Sequence, residues 1–170
     1  MNVSDAIRAK RAIRQFTDQP IPDEAVQTIL NAGRRAQSSK NTQPWHFVAV
    51  RDKATLKALS ECGTYAGHLA GAALAVVLLT PDPAQRWSIM FDAGQSAAYM
   101  QLAAWEMGVG SCLATIYEQD RARAILGIPP EQHVNVAISF GYPQPDQVRP
   151  AVVKKGGRRP FKEVAHWERW

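Results

Sequence analysis

The stretch QSSKNTQPWHFVAV, residues 37–50, joins a polar loop directly to an apolar segment. Residues 45–50 are rich in aromatic and β-branched side chains and end at Arg51-Asp52, a composition that predicts a β-strand. Residues 37–44 carry hydroxyl and amide groups that both donate and accept hydrogen bonds. These groups suit a ligand with alternating carbonyl and N–H groups, although polar residues of this kind also fill ordinary loops.

Helical and strand-like segments alternate on both sides of this stretch. Helices are predicted from a cap at Asn2 or Ser4 to about Ala12, and over residues 22–33, 53–61, 84–107 and 120–126. Further strands are predicted over residues 73–80, 111–116 and 134–140, and the chain beyond residue 143 is predicted to be irregular. Few strands among long helices favour a three-layer α/β or α+β architecture.

The bulk composition is that of one globular domain spanning residues 1–170. Hydrophobic residues make up 46% and charged residues 21% of the chain, the usual balance of a soluble protein. No apolar run approaches the ~20 residues of a membrane span, and residues 1–14 lack the apolar core of a secretory signal. We therefore expect a cytoplasmic protein with no membrane partner. The two cysteines, Cys62 and Cys112, exclude a disulfide framework and argue against a structural zinc site.

Positive charge is concentrated in two short windows near the ends of the chain. Lysine and arginine number 20 against 15 acids, which gives a net charge of +5. The windows contain Lys10, Arg11 and Arg14, and then Lys154, Lys155, Arg158, Arg159 and Lys162. Such windows suggest an anionic ligand bound from two sides, or nucleic acid, although solvated surface charge gives the same pattern. Because neither GxGxxG after the first strand nor GxxxxGK[ST] is present, a nucleotide phosphate would be bound by side chains.

Taken in order along the chain, these motifs resemble the nitroreductase family. RAIRQF at 11–16 and SSKNTQPW at 38–45 are similar to the family's RRSxRxF and PSSxNxQPW stretches at the same separation. DAG at 92–94, GVGSC at 108–112, GYP at 141–143 and RRPFKEV at 158–164 extend the similarity over essentially the whole chain. The resemblance implies an α+β fold in three layers, with a central, mostly antiparallel sheet flanked by helices. It also implies an intertwined homodimer with two FMN sites at its interface, each formed by both subunits.

The resemblance also implies which residues bind FMN. The three basic residues of the first window would hold the phosphate and reach the pyrimidine edge of the flavin, and the two arginines of the second window would complete the phosphate contacts. The loop before the first strand would contact the isoalloxazine ring from the partner subunit. The implied cofactor-binding residues are Lys10, Arg11, Arg14, Arg158 and Arg159 in the windows, and Ser38, Ser39 and Asn41 in the loop.

Two positions depart from the family pattern. Ala12 replaces a serine that usually bonds the phosphate, and Gln37 replaces a proline before the paired serines. The first change removes one hydrogen bond, worth about 1 kcal/mol of cofactor binding. The chain also has little room for the insertions that shape a substrate lid in family members, which leaves the preferred acceptor open.

The implied activity is transfer of electrons from NAD(P)H to an organic acceptor, such as a nitroaromatic or a quinone, by a ping-pong flavin mechanism. The hydride is accepted at flavin N5, so no side chain is required as a nucleophile or general base. Arg14 is the candidate for stabilising the negative charge of reduced flavin at its N1/C2 edge.

Other functions fit parts of the same pattern. A relative that degrades flavin or uses a deazaflavin would keep the fold and the basic windows, and a cofactor-binding dimer without turnover would keep the whole site. A nucleic-acid-binding domain would need aromatic residues among the basic ones for base stacking. The first basic window contains only Phe16, so nucleic acid is not expected as a partner.

Overall fold

The computed structural model describes residues 2–148 and 157–170. The helices in this part of the chain are α1 (Val3–Ala9), α2 (Asp23–Arg34), α3 (Lys53–Ser60), α4 (Ser88–Glu106), α5 (Gln119–Leu126), α6 (Pro145–Val148) and α7 (Phe161–Val164). The strands are β1 (His46–Val50), β2 (Leu74–Thr80), β3 (Gly110–Thr115) and β4 (His133–Gly141). Short 3-10 turns lie at Ser39–Asn41, Gly67–Leu69 and Pro83–Gln85. None of the described helices combines the length and the hydropathy that crossing a bilayer requires.

The four strands form one antiparallel sheet in the order β1-β2-β4-β3. A short extended segment near the N-terminus pairs with the free edge of β3. Ala12 forms a parallel bridge with Ser111, and the Ile13 N–H donates to the Ser111 carbonyl at 3.0 Å. Residues 12–14 therefore lie at one edge of the sheet, and β1 lies at the opposite edge.

Helices cover both faces of this sheet and give the fold its three layers. Along β2 the side chains alternate: Ala75, Val77 and Leu79 pack towards α3 and α5, whereas Leu74, Val76 and Leu78 pack towards α2 and α4. Every residue of β2 is buried as a result. This is why the sequence of β2 is uniformly apolar rather than alternating.

α2 and α4 approach closely because α2 has a glycine at their contact. A Cβ added at Gly33 would lie 2.7 Å from Cγ of Met100. Met100 is fully buried between α2 and the sheet. This packing fixes α4 across one face of the sheet, with its N-terminal half near the loop that precedes β1.

The predicted α+β, three-layer architecture with an antiparallel central sheet is confirmed, and three details of the prediction were wrong. The helix expected from residue 84 begins at Ser88, because Pro83–Gln85 forms a separate 3-10 turn that ends at the extended Arg86. α1 ends at Ala9 rather than near Ala12, because Lys10 takes an extended backbone (ψ 130°) and leads into the segment paired with β3. The chain beyond residue 143 contains the short helices α6 and α7 rather than irregular structure alone.

Candidate functional site

The first group of basic residues lies on the extended segment at the β3 edge. The buried side chain of Ile13 is 1% exposed, and its neighbours Arg11, Ala12 and Arg14 are exposed. In an extended chain alternate residues share a face, so Ala12 and Arg14 lie on the same open side. Ile13 thus anchors a segment that displays the arginine next to the strand.

Lys10 lies beside this segment and is half-buried. Its Nζ donates to Oε1 of Gln101 on α4 at 3.0 Å. Burial lowers the pKa of the Lys10 amine, with the nearby Cys112 thiol acting in the opposite direction. The lysine is therefore held by a neutral amide and has no carboxylate partner among the described residues.

Cys112 and His68 lie close to the same cations. Burial raises the pKa of the Cys112 thiol, and the charges of Arg14 and Lys10 oppose that shift. Burial also lowers the pKa of His68, the charge of Arg14 lowers it further, and the Leu113 carbonyl acts in the opposite direction. The His68 Nδ1 hydrogen-bonds with the Ser139 hydroxyl at 2.7 Å, whereas no described residue hydrogen-bonds with its buried Nε2.

The electrostatics of this edge favour an anion. Arg14 forms no ion pair or hydrogen bond with any residue that the structure describes. Within the part of the chain that the structure describes, no acid neutralises Lys10 or Arg14, and the buried His68 and Cys112 beside them are neutral. The result is a local excess of positive charge. A phosphate or the electron-rich edge of a heterocycle would complement that excess. Within residues 2–148 and 157–170, no three His, Cys, Asp or Glu side chains form a metal-ligand cluster.

The second group of predicted site residues lies in the loop that precedes β1. Ser38 and Ser39 are half-buried and Asn41 is exposed. The Ser38 Oγ accepts from the Gln43 N–H at 2.9 Å, and the Asn41 Oδ1 accepts from the Gln43 side chain at 3.2 Å. The Ser39 N–H donates to Oδ2 of Asp92 on α4 at 3.1 Å. These bonds leave the Ser39 hydroxyl and the Asn41 amide nitrogen free of protein partners among the described residues.

The two groups lie on opposite faces of α4. Lys10 contacts Gln101, and Ser39 contacts Asp92, nine positions earlier on the same helix. At 3.6 residues per turn and 1.5 Å per residue, nine positions correspond to two and a half turns and about 14 Å. A single chain therefore separates the residues at the β3 edge from the loop before β1.

The second basic window follows the described core of the chain. Arg158 and Arg159 are exposed, and neither forms a hydrogen bond or ion pair with another described residue. The structure therefore does not bring them to Lys10 and Arg14 within the chain. Lys154 and Lys155 lie outside the described residues.

Arg86, Gln101 and His68 were not recognised from the sequence, and Asp92 was noted only as the first residue of the DAG motif, without a role at the site. Each contributes through a contact between distant parts of the chain, 91 positions apart for Lys10 and Gln101. One signal was available: Asp92 is an acid among small and apolar residues of a helix, and it is 2% exposed. A buried carboxylate is costly unless it is hydrogen-bonded, which points to a specific partner.

Comparison with known proteins gives a consistent result. A model of the nitroreductase family matches residues 7–63 and 57–142. A candidate NADH dehydrogenase/NAD(P)H nitroreductase of Archaeoglobus fulgidus is 35% identical over 150 residues, covering 83% of this chain and 85% of that protein. The NADPH-flavin oxidoreductase of Vibrio harveyi is 30% identical over 166 residues, covering 88% of this chain and 69% of that protein.

A solved structure extends the similarity to the whole fold. The FMN-dependent nitroreductase of Clostridium difficile R20291 superposes with a TM-score of 0.84 and 28% identity, covering 99% of this chain and 100% of that chain. The match of the family model over most of residues 7–142, together with the Archaeoglobus relative, is sufficient to assign the family. This chain belongs to the nitroreductase family.

Proposed function

We propose that the chain is an FMN-dependent oxidoreductase that transfers electrons from NAD(P)H to a small organic acceptor, such as a nitroaromatic or a quinone. The observation that carries this proposal is the pair of cations at the sheet edge of a nitroreductase fold, Lys10 and Arg14, which have no acidic partner among the described residues. The names of its relatives, an NADPH-flavin oxidoreductase and an FMN-dependent nitroreductase, agree with that chemistry.

The residues at the β3 edge fit FMN. The cofactor has a dianionic phosphate at one end and a carbonyl-rich pyrimidine edge at the other, and this edge offers side-chain cations in place of a glycine-rich phosphate loop. We assign Lys10, Arg11 and Arg14 to this half of the site, with Arg158 and Arg159 completing the phosphate contacts. When bound, FMN supplies the centre that accepts a hydride and passes electrons on.

Arg14 stabilises the negative charge that develops on reduction. Its guanidinium is permanently charged and lies beside neutral, buried His68 and Cys112 rather than beside an acid. A fixed positive charge near the N1/C2 edge favours the reduced, anionic flavin over the oxidised one. The protein therefore binds FMN and stabilises the negative charge of the reduced flavin, and no side chain needs to act as a nucleophile.

Each site needs a second copy of the chain. Because Ser38, Ser39 and Asn41 lie across α4 from the β3-edge cations, one flavin contacts both groups only if the loop comes from a partner subunit. α4 and the residue before it carry an exposed stripe for that contact at three- to four-residue spacing: Trp87, Phe91, Gly94 and Ala98. Trp87 is 81% and Phe91 62% exposed, and large exposed apolar residues in one stripe are typical of an interface.

Segment 157–170 supports the same homodimer. Phe161, Val164, Trp167 and Trp170 are all exposed, and this part of the chain buries no large apolar side chain against its own core. A second copy offers the apolar surface that these side chains lack, and it would place Arg158 and Arg159 at a shared phosphate site.

The first test is the visible spectrum of the purified protein, followed by heat release of any chromophore and its identification by mass. A yellow protein with about one FMN per subunit, bleached by NADH or NADPH and recoloured by an acceptor, supports the proposal. A deazaflavin, or flavin consumed in turnover, would assign the chain to a different activity of the same fold. A colourless protein that does not bind added FMN would refute the proposal.

Mixing two defective variants tests the shared site. One variant carries Arg14→Ala and the other carries Asn41→Ala, so each homodimer has a lesion in both of its sites. A mixed dimer has both lesions in one site and none in the other, and random exchange restores about a quarter of all sites. Failure of the mixture to bind more FMN than either parent, despite exchange of labelled subunits, would refute the two-subunit site.

We further propose that residues 1–170 form one domain and that the enzyme works in the cytoplasm. The core clusters on both sides of the sheet draw on elements from α2 to β4, as expected of a single unit. Both cysteines are free and buried, which agrees with a reducing compartment. Fractionation of cells expressing the native protein, with its flavin followed by fluorescence, tests the location.

A further inference from the structure

The loop before β1 has a backbone that its own residues do not favour. Lys40, Asn41 and Gln43 have φ values of 53°, 54° and 48°. This left-handed region is unfavourable for residues with a side chain, and asparagine alone of these three tolerates it readily. Such a conformation persists only where surrounding structure imposes it.

The N-terminal part of α4 supplies the restraint. Oδ2 of the buried Asp92 accepts from the Ser39 N–H at 3.1 Å. Arg86, just before α4, donates from Nη2 to the Thr42 hydroxyl at 2.6 Å, and the same nitrogen lies 3.9 Å from Oδ2 of Asp92. The Thr42 hydroxyl in turn donates to the Ser39 carbonyl at 3.0 Å. The Asp92–Arg86 pair thus binds both residues that flank the strained Lys40 and Asn41.

We propose that Asp92 and Arg86 are positioning residues for the flavin site, holding the loop of residues 38–43 in its binding conformation before the cofactor arrives. The inference rests on the proposed function, in which Ser39 and Asn41 of this loop contact the isoalloxazine ring across the subunit interface. A loop that is ordered in advance loses less conformational freedom when FMN binds, and binding is tighter.

The burial of Asp92 gives an independent reason for this role. A carboxylate that is 2% exposed is retained only where its charge and lone pairs are used. Among the described residues, the one hydrogen bond to the Asp92 carboxylate comes from the loop, from the Ser39 N–H. If α4 made no contact with the loop, an apolar residue at position 92 would give a more stable fold than an aspartate.

The cleanest perturbation is Thr42→Val, because Thr42 is exposed and the change removes only the hydroxyl that joins Arg86 to the loop. The matched control is Thr28→Val on α2, an exposed threonine that also donates to a backbone carbonyl. Asp92→Asn and Asp92→Ala form a second pair: the asparagine keeps an acceptor for the Ser39 N–H, and the alanine does not.

The first measurement uses the flavin-free protein, so that it does not depend on the cofactor. We expect Thr42→Val and Asp92→Ala to raise the hydrogen-exchange rate of the Ser39 amide at least about tenfold, while amides of β2 exchange as in the wild type. Asp92→Asn should keep part of the protection, and Thr28→Val all of it. A Ser39 amide that stays protected in both Thr42→Val and Asp92→Ala would overturn the inference.

The second measurement is FMN affinity, from quenching of flavin fluorescence on titration into apoprotein. Thr42→Val and Asp92→Ala should raise the Kd at least about tenfold, the effect of losing one hydrogen bond to a charged group. Unchanged affinity with a loosened loop would refute the positioning role and leave the proposed function intact. Wild-type protein that fails to bind FMN would refute the proposed function instead, whatever the loop does.

Discussion

Gly110, the first residue of β3, makes room for the segment that carries Lys10 and Arg14. A Cβ added at Gly110 would lie 2.7 Å from Cγ1, 2.8 Å from Cβ and 2.9 Å from Cγ2 of Ile13. Favourable contacts between carbon atoms begin near 3.5 Å. Rotation of the Ile13 side chain does not relieve the contact with its own Cβ, so Gly110→Ala must displace the backbone of one partner.

The expected magnitude follows from that displacement. Overpacking of this kind costs about 1–3 kcal/mol, which for a chain of this size lowers the Tm of the flavin-free protein by about 2–12 °C. Because Lys10 and Arg14 flank Ile13 on the displaced segment, the Kd for FMN should also rise, by about tenfold or more. Differential scanning fluorimetry and a flavin titration measure the two effects.

Two further variants separate this explanation from a general effect of alanine. Gly71→Ala is the control, because no atom of the described residues lies within 4 Å of a Cβ added there. Ile13→Ala removes two of the three close atoms but also truncates a buried side chain, so it should lower the Tm by itself, and adding Gly110→Ala to it should lower the Tm less than Gly110→Ala does in the wild type. The reasoning fails if Gly110→Ala keeps both the Tm and the FMN affinity of the wild type.

Three other outcomes are expected. Arg14→Ala should slow reduction of bound flavin by NAD(P)H about 10- to 100-fold, since a hydrogen bond to a charged group is worth about 1.5–3 kcal/mol. Stopped-flow reduction rates equal to those of a control variant at an exposed arginine, Arg8→Ala, would contradict the proposed role of Arg14 in stabilising reduced flavin. Burial raises the pKa of Cys62 and Cys112, so both thiols should resist alkylation by iodoacetamide at about pH 8 until the protein is unfolded. Rapid alkylation of the folded protein, detected by mass spectrometry, would contradict this expectation. Burial lowers the pKa of His68 from 6.5, so the unfolded chain binds more protons than the folded one as the pH falls through 6.5. The free energy of unfolding therefore decreases over this range. Urea denaturation should show a weaker pH dependence for His68→Gln than for the wild type or the His46→Gln control.

Elements with a strong local signal could be predicted from the sequence. β2 was predicted because both of its faces are apolar, and α5 because Gly127 ends it in a left-handed conformation at φ 63°. α1 was extended three residues too far, since Ala12 and Ile13 continue its apolar pattern. Their pairing with Ser111 is a contact across about a hundred positions, which no local pattern contains.

The candidate site divides in the same way. Lys10, Arg14, Ser39 and Asn41 belong to short motifs, and those motifs are what proposed them as site residues. Two of these residues, Lys10 and Ser39, are held by Gln101 and Asp92. Each is held through a single hydrogen bond from a residue that is distant in the sequence. Their relation to the motifs depends on which face of α4 meets which neighbour, and this is decided by the packing of α4 on α2 and the sheet.

In the proposed two-subunit site, α4 would link cofactor binding to dimerisation. Gln101 on one of its faces holds Lys10, Asp92 on the opposite face holds the loop, and Phe91 lies in the exposed stripe proposed to meet a second copy. If FMN binds only between two subunits, each favours the other by mass action, and flavin affinity must fall as the dimer is diluted below its dissociation constant. Phe91→Glu should therefore weaken dimerisation and FMN binding together, although Lys10 and Arg14 are untouched. A monomeric variant that bound FMN as tightly as the wild type would show that one chain forms the complete site.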